Sequence, residues 1–260
     1  MKARRAKIYI LLTNDDGYDS EGLLAAKQAL ARVGEVVVVA PERNWSASGH
    51  NRTMDKPLRV TKVHLTDGDE GFVSDGTPSD CVSLAVLGVL DRRPDLVVAG
   101  INKGANIADD ITYSGTVAAA MEGALAGIPA IAVSLVDYFE EWDFAYAAEF
   151  TAKLAAAVQL HGLPTGVLLN VNVPPLPREK IAGVEITRLG KRIYRDMLIR
   201  REDPFGRPYY WLGGEMPHGV AEEGTDFQAV SEGRVSITPI HLDLTNYRLI
   251  TTLAEWQIEP

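Results

Sequence analysis

The chain has 260 residues, of which 46% are hydrophobic and 23% are charged, so it can form one large α/β domain or one domain with a smaller appendage. Its net charge of −9 argues against nonspecific binding to nucleic acid or to anionic membranes. The single cysteine, Cys81, excludes a disulfide framework or a cysteine zinc cluster within one chain and favours a reducing compartment.

The amino terminus, MKARRAK, is basic and could pass for the start of a secretory signal. The apolar run that follows, IYILLT, is shorter than the roughly 7–15 residues of a signal core. No stretch of the sequence approaches the ~20 apolar residues of a membrane span. We therefore expect a cytoplasmic protein.

Five apolar runs predict buried parallel strands, because they are continuous rather than alternating. They cover residues 8–13, 35–40, 95–100, 130–135 and 166–173. Helical segments separate them, so the expected fold class is α/β, with a Rossmann-like, doubly wound and mostly parallel sheet. In such a sheet, ligands bind where the carboxyl ends of the strands open a crevice.

Three of the intervening helices carry terminal signals. Ser20 can cap the first, which Gly34 should end. Thr77 can cap the second, over residues 77–90, with Pro78 in its first turn. The third is the alanine-rich segment GTVAAAMEGALAG, which ends at Gly127.

The sequence changes in character near residue 183. We therefore divide the chain into an α/β core, residues 1–182, and a C-terminal extension, residues 183–260. The extension is expected to contain a strand, a turn at DPFGRP and a second strand, and its tail VSITPIHLDLT is again strand-like. An isolated hairpin is marginal in water, so this one either is an arm exchanged between subunits or folds onto its own domain.

Asp15 and Asp16 follow the first strand directly. One could cap the next helix while the other is solvated. Alternatively, a divalent cation neutralises both, and hard oxygen ligands of this kind suit Mg²⁺, Mn²⁺ or Ca²⁺.

Polar residues also follow two other strands. The loop ERNWSASGHNRT contains Ser46, Ser48 and His50, and the loop INKGANIADDITYSGT contains Asn102 and Asn106. The latter enters a helix through residues whose hydroxyl and backbone N–H groups could bind phosphate, or could simply cap the helix; these are Ser114, Gly115 and Thr116. Such a combination is what metal-assisted phosphoryl hydrolysis requires, with Asp15 and Asp16 as its catalytic centre.

Several motifs in order resemble the SurE family, the stationary-phase survival proteins. They are NDDG, APERNWSASGH, DGTPSDCV, AGINKGAN, YSGTVAAAMEG, RLGKRIYRD, DPFGRPYYW and EGTDFQAVSEGRVSITPI. The resemblance implies a metal-dependent phosphatase that hydrolyses nucleoside 5'-monophosphates, with 3'-nucleotide side activity and, in some members, activity on short polyphosphate. It also implies homodimers or homotetramers that form through the C-terminal extension.

The resemblance further implies the ligands of one divalent cation per subunit, Mg²⁺ or Mn²⁺. These ligands would be Asp15, Asp16, Ser46 and Asn102, with Ser48 as the alternative serine if the loop shifts. Ala99 and Ala108 stand where many relatives have Ser and Gly, and neither would supply a ligand.

Two other functions stay open at this stage. An aspartate nucleophile with a covalent intermediate usually has the spacing D-x-D-x-T, whereas Asp15 and Asp16 are adjacent. The second alternative is a nucleotide-binding regulatory protein without catalysis. The segment NDDGYD lacks the glycine fingerprint that would favour a dinucleotide ligand. His50 could be a surface residue or a phosphate contact, and Asp226 could order the crevice rim or only its own turn.

Overall fold

The computed structural model describes residues 7–136, 142–193, 196–214, 218–256 and 258 of the chain. Its strands, in chain order, are β1 Ile8–Thr13, β2 Gly34–Pro41, β3 Val60–His64, β4 Glu70–Ser74, β5 Leu96–Lys103, β6 Ala130–Leu135, β7 Val167–Val173, β8 Gly183–Ile186, β9 Arg192–Ile193, β10 Asp196–Glu202, β11 Pro208–Gly214, β12 His218–Gly219 and β13 Arg234–His241. Its helices are α1 Glu21–Leu30, α2 Pro78–Leu84, α3 Gly115–Leu125, α4 Ala145–His161, α5 Asp226–Ser231 and α6 Tyr247–Ala254.

Nine strands form the main sheet, in the order β3-β4-β2-β1-β5-β6-β7-β13-β8. The six neighbours from β4 to β7 all run parallel, whereas β3 pairs antiparallel with β4 and β13 pairs antiparallel with β7. The prediction of an α/β fold with a mostly parallel sheet is confirmed. The carboxyl ends of β1, β2 and β5 lie side by side at the centre of this sheet.

Both faces of the sheet are covered, which explains why the strands are apolar without alternation. On β1, Ile10 and Leu12 belong to a core cluster with α1 and α4, while Tyr9 and Leu11 belong to a second cluster with α2 and α3. This arrangement leaves the strand ends, rather than the sheet faces, for function.

The predicted helix signals are mostly correct. Ser20, Thr77 and Ser114 each accept a hydrogen bond as the N-cap, and Gly127 follows α3 with φ at 72°. Gly34 does not end α1, because the helix stops at Leu30 and Gly34 instead opens β2, where a Cβ would lie 2.3 Å from the Ile8 carbonyl oxygen.

Other boundaries differ from the prediction. The predicted helix over 77–90 has regular α geometry only as far as Leu84 and then passes through a wider π-helical turn, broken at Gly88 with φ at 143°. Strand β5 continues three residues beyond Gly100 to Lys103. The β3–β4 hairpin, whose strands are partly exposed, was not predicted from the sequence, and neither were α4, α5 and α6.

The extension, residues 183–260, contributes to two different parts of the structure. Strands β8 and β13 complete the main sheet, so the tail is strand-like as predicted up to His241. The predicted strand–turn–strand is present as β10 and β11, which form a separate two-stranded sheet. In the described part of the chain, no helix combines the length and the apolar character needed to cross a bilayer.

Candidate active site

A cavity of about 260 Å³ opens at the carboxyl ends of β1, β2 and β5. Three loops meet there, and five of the residues selected from the sequence line it: Asp15, Ser46, Asn102, Asn106 and Ser114. Parallel strands bring these side chains together, because their carboxyl ends share one edge of the sheet.

Asp15 is 3% exposed, and the start of α3 holds its carboxylate. The Thr116 hydroxyl donates to Asp15 Oδ1 at 2.5 Å. Burial raises the pKa of Asp15, while this hydroxyl and the backbone N–H groups of Thr116 and Gly115 act in the opposite direction. The α3 terminus therefore fixes the orientation of Asp15.

Asp16 lies beside Asp15 and is less buried. Burial, reinforced by the negative charge of Asp15, raises the pKa of Asp16 to about 6. The backbone N–H of Lys103 donates to Asp16 Oδ2 at 3.2 Å, and the Asn44 amide donates to Oδ1 at 3.3 Å. Asn44 was missed from the sequence, where it reads as one more polar residue in a loop.

Asn102 reaches the cavity because β5 is irregular at its end. The pairing of β5 with β6 shifts between Ala99 and Asn102. Gly100 makes the shift possible, since its φ is 124° and a Cβ would lie 2.3 Å from the Val133 carbonyl oxygen. The Asn102 amide nitrogen donates to the Gly104 carbonyl at 2.9 Å, which reserves the amide oxygen for another partner.

The second loop brings Ser46 to the cavity, whereas Ser48 packs behind it. A Cβ added to Gly115 would lie 2.9 Å from Ser48 Oγ and 2.8 Å from Asp15 Cβ, so Ser48 and Asp15 both pack closely against Gly115. The Ser48 hydroxyl is buried and has no hydrogen-bond partner in the described parts of the chain. Ser46 and Ser48 therefore occupy different positions around Asp15, and only Ser46 lines the open space.

This loop is anchored to α2. Asp80 accepts from the Thr53 hydroxyl at 2.6 Å and from the Thr53 backbone N–H, in addition to closing a capping box with Thr77. The Thr77 hydroxyl donates to the Asn51 carbonyl at 2.8 Å. One helix terminus therefore holds the segment that follows Ser46.

These side chains match the ligand preference of a hard divalent cation. Asp15 and Asp16 are adjacent carboxylates, and Ser46 and Asn102 line the same cavity as Asp15. Mg²⁺ is usually held by one or two carboxylates with water completing an octahedron. In the described residues there is no cluster of three or more His, Cys, Asp or Glu side chains that could hold a metal.

Asn106 is fixed by polar groups from two neighbouring strands. Its side-chain amide donates to Ser134 Oγ at 2.7 Å, and its backbone N–H donates to Asn172 Oδ1 at 2.9 Å. The amides of Asn170 and Asn172 both donate to the Asn106 carbonyl at 2.8 Å. Asn106 is 6% exposed, and its second amide hydrogen remains available at the cavity. The alternation in LLNVNV was the available signal for Asn170 and Asn172.

The three residues at the α3 terminus lie at different depths. Ser114 lines the cavity, and its hydroxyl accepts from the Val117 N–H at 3.0 Å as the helix cap. Gly115 and Thr116 are buried behind it and contact Asp15. A phosphate in the cavity would therefore meet Ser114 first.

The C-terminal extension closes the rim of the site. Asp226, which is fully buried, accepts from the backbone N–H of Ala108 at 2.8 Å and from that of Gly190 at 2.8 Å. Asp110 lines the cavity and forms an ion pair with Arg192 of the extension. Asp226 therefore orders the crevice rim and not only its own turn.

The other residues weighed from the sequence lie elsewhere. His50 contacts Glu122 on α3, at 3.0 Å between Nε2 and Oε2, and lines a different cavity. Cys81 is fully buried in the apolar core beside α3, as expected of a structural cysteine. Trp211 is 63% exposed on the β10–β11 hairpin.

The family model described as "Survival protein SurE" matches residues 10–196. A protein of Herpetosiphon aurantiacus named 5'-nucleotidase SurE is 56% identical, with 94% of this chain and 96% of that protein covered. A protein of Chloroflexus aggregans with the same name is 51% identical over 97% of this chain and 100% of its own length.

The solved structures include a crystal structure of the SurE protein from Aquifex aeolicus. It superposes with a TM-score of 0.83 at 43% identity and covers 96% of this chain and 100% of that one. Since the family model matches well over half of the chain, and the two relatives are similar over nearly its full length, the protein belongs to the SurE family.

Proposed function

We propose that this protein is a divalent-metal-dependent phosphatase that hydrolyses nucleoside 5'-monophosphates to nucleoside and phosphate. The observation that carries the proposal is the pair of crowded carboxylates, Asp15 and Asp16, of which Asp15 lines one cavity with Ser46, Asn102, Asn106 and Ser114. The names of the two relatives support nucleotide hydrolysis. Activity on 3'-monophosphates and on short polyphosphate is part of the same proposal.

Asp15, Asp16, Ser46 and Asn102 would hold one Mg²⁺ or Mn²⁺ per subunit. A bound cation there would polarise a phosphoryl oxygen and lower the pKa of an attacking water. The chain's own contribution is orientation, since Thr116 fixes Asp15 while Lys103 and Asn44 fix Asp16. Ser114 and the free amide hydrogen of Asn106 would donate to the phosphate, with Gly115 and Thr116 behind them.

A panel of nucleoside monophosphates, ribose 5-phosphate and short polyphosphates, assayed with each divalent ion and with EDTA, tests the proposal. We expect phosphate release from nucleoside 5'-monophosphates that EDTA abolishes and that Mg²⁺ or Mn²⁺ restores. Nucleotide binding without turnover would favour the regulatory alternative. A trapped phosphoaspartate would favour the covalent one.

Substitutions of the proposed metal-binding residues test which side chains hold the cation. Asp15→Asn and Asp16→Asn should each lower turnover by orders of magnitude, with the circular dichroism spectrum retained. Ser46→Ala should weaken metal binding measured by calorimetry. Ser48→Ala, two residues further along the same loop, is the matched control and should not weaken it. Near-normal rates in either aspartate variant, in metal-supplemented buffer, would reject the ligand assignment.

The exposed hairpin supports a further part of the proposal, assembly into a homodimer or homotetramer through the C-terminal extension. Leu198 and Leu212 are paired across β10 and β11 and are 64% and 85% exposed on the single chain. Helix α6 likewise exposes Leu249, Ile250 and Leu253. Apolar residues on a surface of this kind favour a protein partner, and a second copy is the one proposed.

A further inference from the structure

Tyr113 is an exposed aromatic residue on the wall of the active-site cavity. Its side chain is 64% exposed, although it immediately precedes Ser114, the cap of α3. Among the described residues that line this cavity, it is the only aromatic one. The ring is therefore mostly uncovered by the rest of the chain. It also has no role among the residues proposed to bind the metal and the phosphate.

The backbone of Tyr113 is held on both sides. Its N–H donates to the Asp110 carbonyl at 3.0 Å, and its carbonyl accepts from the Gly49 N–H at 2.8 Å. Gly49 has φ at 60°, and a Cβ there would lie 3.1 Å from the Thr112 carbonyl oxygen, so the two loops pass close together. The ring therefore projects from a fixed base, which lowers the entropy lost when a ligand packs against it.

The size of the cavity places part of a nucleotide at its rim. Its volume of about 260 Å³ is below the roughly 300–1,000 Å³ of pockets that enclose a drug-sized ligand. With the phosphate at Ser114 and Asn106, the rest of the substrate must extend towards the mouth. Apart from Tyr113, the residues of the cavity wall that have no polar side chain are small, namely Ala47, Gly104 and Ala105.

We infer that the Tyr113 ring is the stacking surface for the base of the nucleotide and so selects phosphate esters that carry a planar base over those that lack one. The inference rests on the proposed function, because it names the part of the substrate that the same site recognises. Every base offers a π face to such a ring, so Tyr113 favours nucleotides as a class without choosing among bases.

The test compares a substrate that carries a base with one that lacks it. The ratio of kcat/KM for adenosine 5'-monophosphate to that for ribose 5-phosphate is measured with the intact protein and saturating Mn²⁺. Tyr113→Ala should lower this ratio about tenfold, through KM rather than kcat, as expected for loss of one base–aromatic stack. Tyr113→Phe and Tyr113→Trp should retain the ratio. Tyr247→Ala, which removes an equally exposed tyrosine from α6, is the matched control.

The outcomes separate a failure of the stacking role of Tyr113 from a failure of the proposed function. A ratio that stays the same in Tyr113→Ala would overturn the stacking role while leaving nucleotide hydrolysis intact. A lower ratio accompanied by a smaller assembly in light scattering would overturn it as well, because Tyr113 would then belong to a subunit interface. If the unmodified protein releases no phosphate from any nucleoside monophosphate, the proposed function itself fails.

Discussion

Ionisation of Asp16 lowers the free energy of unfolding of the metal-free protein. In the folded chain its pKa is raised from 3.8 to about 6 by burial and by Asp15. Between these two values the folded state holds a proton that the unfolded chain releases, so this contribution to stability is present at low pH. It is lost as the pH rises through 6, and the ionised group then costs about 3 kcal/mol relative to the protonated one.

Asp16→Asn removes this ionisation and should therefore stabilise the metal-free protein. In EDTA at pH 8 we expect the variant to exceed the unmodified protein by up to about 3 kcal/mol in free energy of unfolding, with no difference near pH 4. Urea denaturation of both proteins at several pH values measures this difference. A difference that does not vary with pH would contradict the assignment of the shifted pKa to Asp16. Saturating Mn²⁺ should stabilise only the unmodified protein.

Ala108 adopts a backbone conformation that favours glycine. Its φ is 55°, and its N–H is held by Asp226 at the rim of the site. The left-handed region costs an L residue roughly 1–2 kcal/mol, against about 0.5–1 kcal/mol of entropy for glycine. We expect Ala108→Gly to raise the free energy of unfolding by up to about 1 kcal/mol.

The matched control for Ala108 is Ala156, which is exposed within α4. Ala156→Gly should lower the free energy of unfolding by about 1 kcal/mol, because glycine weakens a helix interior. Thermal or urea unfolding of both variants gives the comparison. Destabilisation of equal size at both positions would show that the φ of Ala108 imposes no cost.

At the scale of elements, the start of α2 supports both a helix and the Ser46 loop. Asp80→Ala removes the capping box and the Thr53 contacts together, so we expect a loss of about 2 kcal/mol in free energy of unfolding. Thr53→Val removes the hydroxyl contact with Asp80, keeps the backbone N–H contact, and should cost about 1 kcal/mol. Hydrogen exchange across residues 44–59 should increase in both variants.

Metal affinity tests whether the start of α2 positions Ser46 in addition to stabilising the fold. If the α2 terminus positions Ser46, both variants should bind Mn²⁺ more weakly in calorimetry. Thr77→Ala keeps the Thr53–Asp80 contacts but loses the contact with the Asn51 carbonyl, so it should weaken Mn²⁺ binding less than Asp80→Ala does. Unchanged metal affinity in Asp80→Ala would show that the loop keeps its position without the helix.

The elements and residues that could be predicted from the sequence are those whose signals are local. The first strand and its two carboxylates are contiguous, and Ser20, Thr77 and Ser114 cap the residues that follow them. Helix α4 was missed because Phe144 at its N-cap forms no side-chain cap, so no capping residue marks where the helix begins. The partly exposed strands β3 and β4 lack the continuous apolar run used to find the others.

The supporting shell of the site could not be predicted, because its contacts join distant residues. Asn172 holds Asn106 from 66 residues away, and Asp226 holds Ala108 from 118 residues away. Such residues look like ordinary strand or turn residues until the sheet order is known. The polar character of LLNVNV was visible, but its target depends on β6 and β7 being neighbours.

At the scale of the whole molecule, the β10–β11 hairpin is the feature that a single chain does not explain. It pairs only with itself among the described strands, and its apolar side chains are exposed. We expect Leu198→Asp with Leu212→Asp to lower the mass measured by light scattering, because the proposed interface would then bury two charges. Leu160→Asp, at an exposed site on α4, is the control.

The deletion of residues 203–211 is a second test of the same arm. It should give the same smaller species as the double variant. An unchanged mass in both cases, with the control also unchanged, would show that the hairpin is not the interface and that the oligomer, if present, forms through another surface.

Asp226 and Arg192 give this arm a connection to the active site. Arg192 pairs with Asp110 on the cavity wall, and β10 begins only four residues after it. The same extension that would join subunits therefore also braces the loop carrying Asn102 and Asn106. An enzyme built in this way would become less active per molecule on dilution, so that its output would rise more steeply than its abundance in the cell.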